Sequence, residues 1–139
     1  MPTIWQVVFT DNEKWTPWDW ILKPGFRHVL ALGYLPEHRL WLCYEVLFYR
    51  TEVSVLSGAI AGRILQAGEN GGGVLSVPAP RGLRPSWRPR FGFWCVPAIC
   101  HLLGLGCVAI TPRGLHDFLL RNGAKPLLED SDELRRERS

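Results

Sequence analysis

The four cysteines (Cys43, Cys95, Cys100 and Cys107) include no CxxC pair, and nothing in the sequence resembles a zinc site. A structural zinc site and a dense disulfide framework are therefore both excluded, and reduced thiols in a reducing compartment are expected. The first ten residues, MPTIWQVVFT, lack the basic start and long apolar run of a signal peptide. An uninterrupted apolar span is also missing. Trp94 to Ile110 is nearly free of charge, but it is short against the ~20 residues a bilayer requires. Pro97, His101, Gly104 and Gly106 interrupt it, so a buried helix followed by a buried strand near Gly106 to Ile110 is expected in place of a transmembrane segment. The net charge of +3 is mild and does not demand an anionic partner. No internal repeat is present.

What is present suits one domain. The 139 residues are 47% hydrophobic and include seven Trp and six Phe, enough for a real core. Eleven Pro and 14 Gly imply many turns. Residues 1–128 are read as a single domain and 129–139, EDSDELRRERS, as a charged tail.

Along the chain, Thr3 to Thr10 reads as a strand. Asp11 to Trp20 is turn-like, and its aromatics either cap one end of the core, the favoured reading, or line a groove. FRHVLALGY (26–34) and RLWLCYEVLFY (39–49) flank LPEH and form a hairpin, and Thr51 to Leu56 continues as a strand. Ala59 to Ala67 is a short helix, Glu69 to Gly73 a flexible loop and Val74 to Val77 a short strand. RGLRPSWRPR (81–90) is an exposed basic segment. Its Arg and Trp residues have the composition to meet phosphates and stack on bases, but an exposed loop explains them as well, and nucleic acid is not an expected partner. Thr111-Pro112 starts a helix with Leu115, Phe118 and Leu119 at core spacing, and Asn122-Gly123 ends it.

The chemistry is concentrated around Cys95. A helix starting at Trp94 or Cys95 places Pro97 in its first turn, where a missing N–H costs little. Cys95 then lies beside unpaired backbone N–H groups at the positive end of the helix dipole, a setting that favours thiolate and can stabilise an oxyanion. Cys100 lies deeper in the helix and is inert. The competing reading is that all four cysteines are buried packing.

A nucleophilic cysteine needs a base, usually histidine. Of His28, His38, His101 and His116, His38 lies in the hairpin turn. His101 shares the helix of Cys95 and is poorly placed to reach back, and His116 has Asp117 beside it. His28 stands out as a polar residue inside an apolar strand, as does Glu45 in the next strand. Pairing Tyr34 with Arg39 around the LPEH turn sets His28 directly opposite Glu45, where a carboxylate can orient the imidazole and stabilise its charge. A one-residue slip would put them on opposite faces. A purely structural His–Glu pair is the alternative.

This order resembles circularly permuted papain-like proteins, including NlpC/P60-type and lecithin:retinol acyltransferase-like domains: histidine on one strand, a polar or acidic partner on the next, then a cysteine opening a helix. Here the pattern reads FRHVLAL, WLCYEVL and FWCVPAICHLLGL. In papain itself the cysteine precedes the histidine. More narrowly, RHVLAL…WLCYE, CVPAICHLLGL and ITPRGLHDFLLRNGA resemble small virion-associated proteins of tailed bacteriophages over roughly half the chain.

The resemblance implies an α+β, papain-like fold, an antiparallel sheet packed against the Cys-bearing helix. It implies Cys95 as nucleophile, His28 as base and Glu45 as third member, with no cofactor or metal. The implied activity is that of a cysteine hydrolase or acyltransferase acting on an amide bond, with a peptidoglycan peptide as the natural substrate while phage DNA passes into the host. The implied location is the virion, after synthesis in the host cytoplasm, with other virion proteins as partners. The alternative is a non-catalytic structural or docking component of the tail or neck that keeps the fold without the chemistry.

Overall fold

The computed structural model describes residues 2–11, 22, 24–47, 50–79, 94–105 and 109–127. In chain order the elements are β1 (Ile4–Thr10), β2 (His28–Leu35), β3 (Leu40–Leu47), β4 (Arg50–Leu56), α1 (Gly58–Asn70), β5 (Gly73–Pro78), α2 (Cys95–Leu102), α3 (Pro112–Arg121) and β6 (Lys125–Pro126). The strands make one antiparallel sheet in the order β4-β3-β2-β1-β5-β6. The class is thus α+β, with the helix that begins at Cys95 packed over β2 and β3.

Helices cover both faces of the sheet, and the central strands are written accordingly. In β2, Val29 to Gly33 are all buried, which requires a continuous apolar run in place of an alternating pattern. On one face Trp5, Val7, Phe9, Val29, Ala31 and Leu75 pack with Val96, Ile99 and Leu103 of the α2 region and with Leu115 and Leu119 of α3. On the other, Val8, Leu30, Leu32, Cys43 and Val74 meet Ile64 and Leu65 of α1. Gln6 interrupts β1 without penalty, because its register partner Ser76 donates a hydroxyl hydrogen bond to it at 2.8 Å. Gly68 lets α1 approach the sheet closely. A Cβ there would lie 2.5 Å from a Val8 methyl and 2.8 Å from a Val74 methyl.

Several boundaries differ from the sequence expectations. The β2–β3 loop is Pro36–Arg39, one residue beyond LPEH. Proline at the second position of a β-turn is favoured, and the turn closes through His38 N–H to Leu35 O at 3.2 Å. Arg39 follows in the left-handed region, with φ of 54°. Tyr34 consequently pairs with Trp41, not with Arg39. Helix α1 runs to Asn70 and absorbs the start of the expected Glu69–Gly73 loop, since Ser57 caps its N-terminus and nothing before Gly71 breaks it. Among the described part of the expected strand at 106–110, Ala109 and Ile110 are not in a strand. Phe118 is only partly buried, whereas Leu115 and Leu119 are buried, because its position on α3 lies at the margin of the apolar stripe. Strand β6 was not anticipated, and two residues offer no periodicity to read. The aromatic cluster at 12–20, the basic segment 81–90, Cys107 and the tail 129–139 lie outside the described residues.

Candidate active site

Three elements deliver the three residues. His28 is the first residue of β2, Glu45 lies in β3, and Cys95 is the first residue of α2. The His28 Nε2–H donates to Glu45 Oε1 at 2.7 Å, a short charge-assisted bond. Cys95 lies beside the same imidazole, close enough for hydrogen bonding to it to raise the pKa of the ring. One ring therefore joins a carboxylate on one strand to a sulfur at a helix start.

The register that accomplishes this differs from the expected one. Ala31 pairs with Tyr44 and Leu32 with Cys43, so continuing the ladder places Glu45 beside Leu30 and makes it a diagonal neighbour of His28. The displacement from direct opposition is two residues. An even displacement leaves both side chains on one face, and the long glutamate side chain spans the diagonal.

Burial and charge act on the imidazole in opposite directions. Burial by itself lowers the pKa of His28, but hydrogen bonds to Cys95 and Glu45, together with the charge of Glu45, outweigh it and raise the pKa to about 9. The ring is charged at neutral pH. The Glu45 carboxyl is held below its usual range by the hydrogen bond from His28 and by its charge, against the opposing effect of burial. Glu52 sits opposite Glu45 on β4, where two carboxylates would repel. Arg50 binds Glu52 at 2.5 Å and offsets that charge.

The surroundings of Cys95 suit a nucleophile. It is partly exposed, while Cys43 and Cys100 are buried. The Cys43 thiol is pushed up to about 11 by burial and by the charges of Glu45 and Glu52, which keeps it neutral and inert. Trp94 is the N-cap of α2, and its side chain makes no capping bond, so the N–H groups of Cys95 and Val96 are not taken by that cap. Pro97 contributes no N–H. Past the helix end Gly104, with φ of 65°, reverses the chain.

Of the other histidines, His38 is exposed in the hairpin loop and His101 is exposed in the last turn of α2. His116 lies edge-on to Phe9 and Phe26, with centroids 5.1 Å from each, and its Nδ1 is 3.2 Å from Asp117 Oδ1. Sequence reasoning did not identify Arg50 and Glu52 as neighbours of the pair. Glu52 fell inside the expected strand Thr51–Leu56, but the expected strand before it ran to Tyr49, past the observed end at Leu47, so the register that pairs Glu52 with Glu45 was not set. No group of three or more potential metal ligands occurs among the described residues. Among those residues no helix is long and apolar enough to cross a membrane. No family model, curated protein or solved structure matches the chain.

Proposed function

We propose that the protein is a papain-like cysteine hydrolase or acyltransferase of a phage virion, acting on an amide bond, with a peptidoglycan peptide as its substrate. The observation that carries the proposal is the His28 ring held between Glu45 and Cys95, with Cys95 at the first position of α2.

In this reading the Cys95 thiol gives its proton to the His28 ring, and the resulting thiolate attacks the scissile carbonyl. The oxygen that becomes negative is received by the N–H groups of the first turn of α2. Because Nε2 is committed to Glu45, Nδ1 is the nitrogen that exchanges a proton with the reacting groups. Charged His28 protonates the leaving amine, and the neutral ring then takes a proton from the water, or from the acceptor amine or alcohol, that releases the acyl group. Glu45 keeps the ring oriented and supports its charged state, the positioning role of a third triad member.

The test is turnover of cell-wall peptides by the full chain, compared with Cys95→Ser. Release of new amine termini by the parent and none by Cys95→Ser is expected. A folded parent that leaves these peptides and simple thioesters intact sinks the enzyme reading and leaves a structural component of the particle.

A further inference from the structure

We propose that Trp94 is a positioning residue for Cys95: its indole N–H, bonded to the Ile110 carbonyl, fixes the start of α2 so that the sulfur stays on the His28 ring. The inference rests on the reading of Cys95 as the nucleophile.

Helix α2 has eight residues, and its N-cap supplies no side-chain acceptor. Tryptophan has only a donor and cannot accept a helix N–H, so the usual device that stops fraying is missing. The indole instead donates outward, to Ile110 O at 3.0 Å, sixteen residues along the chain. That carbonyl adjoins the capped start of α3. Ile110 immediately precedes Thr111, whose hydroxyl accepts the Gly114 N–H at 3.1 Å and caps α3. Leu115 is fully buried and Leu119 is 2% exposed, so the first turn of α3 is tied to the core.

Trp94 remains 47% exposed, so burial alone does not fix its ring at this place. The hydrogen bond gives the ring one orientation, and the backbone of Trp94 leads directly into Cys95. A pair that exchanges a proton tolerates little displacement, and an error of about 1 Å costs large factors in rate. An uncapped eight-residue helix would not by itself hold its first residue within such limits. The anchored end of α3 supplies what the missing cap does not.

The experiment measures alkylation of each cysteine in the full chain by iodoacetamide from pH 5 to pH 9, read by peptide mass. In the parent, Cys95 should react fastest at pH 6, with Cys43 and Cys100 as slow internal controls. Trp94→Phe keeps an aromatic ring but removes the donor. It should slow Cys95 at pH 6 by about tenfold, so that its lead over Cys43 and Cys100 is lost. Cys43 and Cys100 should not change. Thr111→Ala, which loosens the carrier of the Ile110 carbonyl, should shift the Cys95 profile the same way to a smaller extent, and it serves if Trp94→Phe fails to fold. An unchanged Cys95 profile in the folded variants, whatever their melting temperatures, overturns the role of Trp94 alone. A parent in which Cys95 reacts no faster than Cys43 at any pH overturns the nucleophile and this role with it.

Discussion

The described residues include two histidine–carboxylate pairs, and they have little in common beyond composition. His28 takes a partner from another strand, Glu45, at 2.7 Å, and its side chain is 13% exposed. His116 takes its neighbour in sequence, Asp117, at 3.2 Å, and its side chain is 15% exposed. The burial of the two rings is nearly equal, so burial does not distinguish them. The partners do. Glu45 is half-buried and its charge acts through protein. Asp117 faces solvent and is shared with Arg113, which also lies over the Phe26 ring. Among the described residues the His116 ring packs edge-on to Phe9 and Phe26, whereas the His28 ring lies beside the Cys95 sulfur. A histidine–carboxylate pair becomes a reactive site through its third neighbour, and only the His28 pair has a candidate nucleophile there.

The sharpest way to break this comparison is to remove the sulfur. Cys95→Ser should abolish turnover while shifting the melting temperature little, since the change is nearly isosteric and the site partly exposed. Cys100→Ser places a hydroxyl at a 5% exposed core position and should cost about 1–3 kcal/mol, leaving the turnover of the folded fraction intact. Parallel melts and peptide-release assays read both.

Next in size are the histidines themselves. His28→Asn should lower the rate by about 10²–10⁴-fold, the range associated with a lost general acid–base. His116→Asn should leave the rate unchanged but cost about 1 kcal/mol through its lost ring contacts with Phe9 and Phe26. Equal rate losses in the two variants would erase the distinction drawn between the pairs.

A smaller effect concerns pH. The pKa of His28 is raised in the folded state, so its contribution to stability is fully present below the unfolded value near 6.5. It should be lost as pH rises from there through about 9. Urea midpoints at successive pH values should show this decline in the parent and a weaker one in Glu45→Gln, which lacks the carboxylate charge. The alkaline limb of the rate profile should lie near 9 in the parent and move lower in Glu45→Gln. A limb that does not move would remove Glu45 from the site.

The smallest effect tests the helix starts. Thr111→Ala should cost about 1 kcal/mol, read by thermal melting, because its hydroxyl is the cap of α3. A melt that does not change would mean that packing of Leu115 and Leu119 alone holds that end.

Much of the site was legible because its residues violate local pattern. His28 and Glu45 are polar residues in apolar strands, and Cys95 precedes a proline that marks a first helical turn. Their assignment to two strands and a helix start follows from periodicity and capping, which act over a few residues. The hairpin register was not legible to the residue, because moving the turn from LPEH to Pro36–Arg39 depends on one backbone conformation, that of Arg39. The face relation survived that error only because the displacement was even.

By itself, then, the sequence determined the strands that carry His28 and Glu45, the helix that begins at Cys95 and the capped helix after Thr111. These are consequences of local sterics, hydrogen bonding and apolar spacing. The tertiary structure alone decided the strand order, the covering of both sheet faces, the meeting of Cys95 with the His28 ring and the bond from Trp94 to Ile110. Those depend on which apolar faces bury one another across the chain, and no short window of residues contains that information.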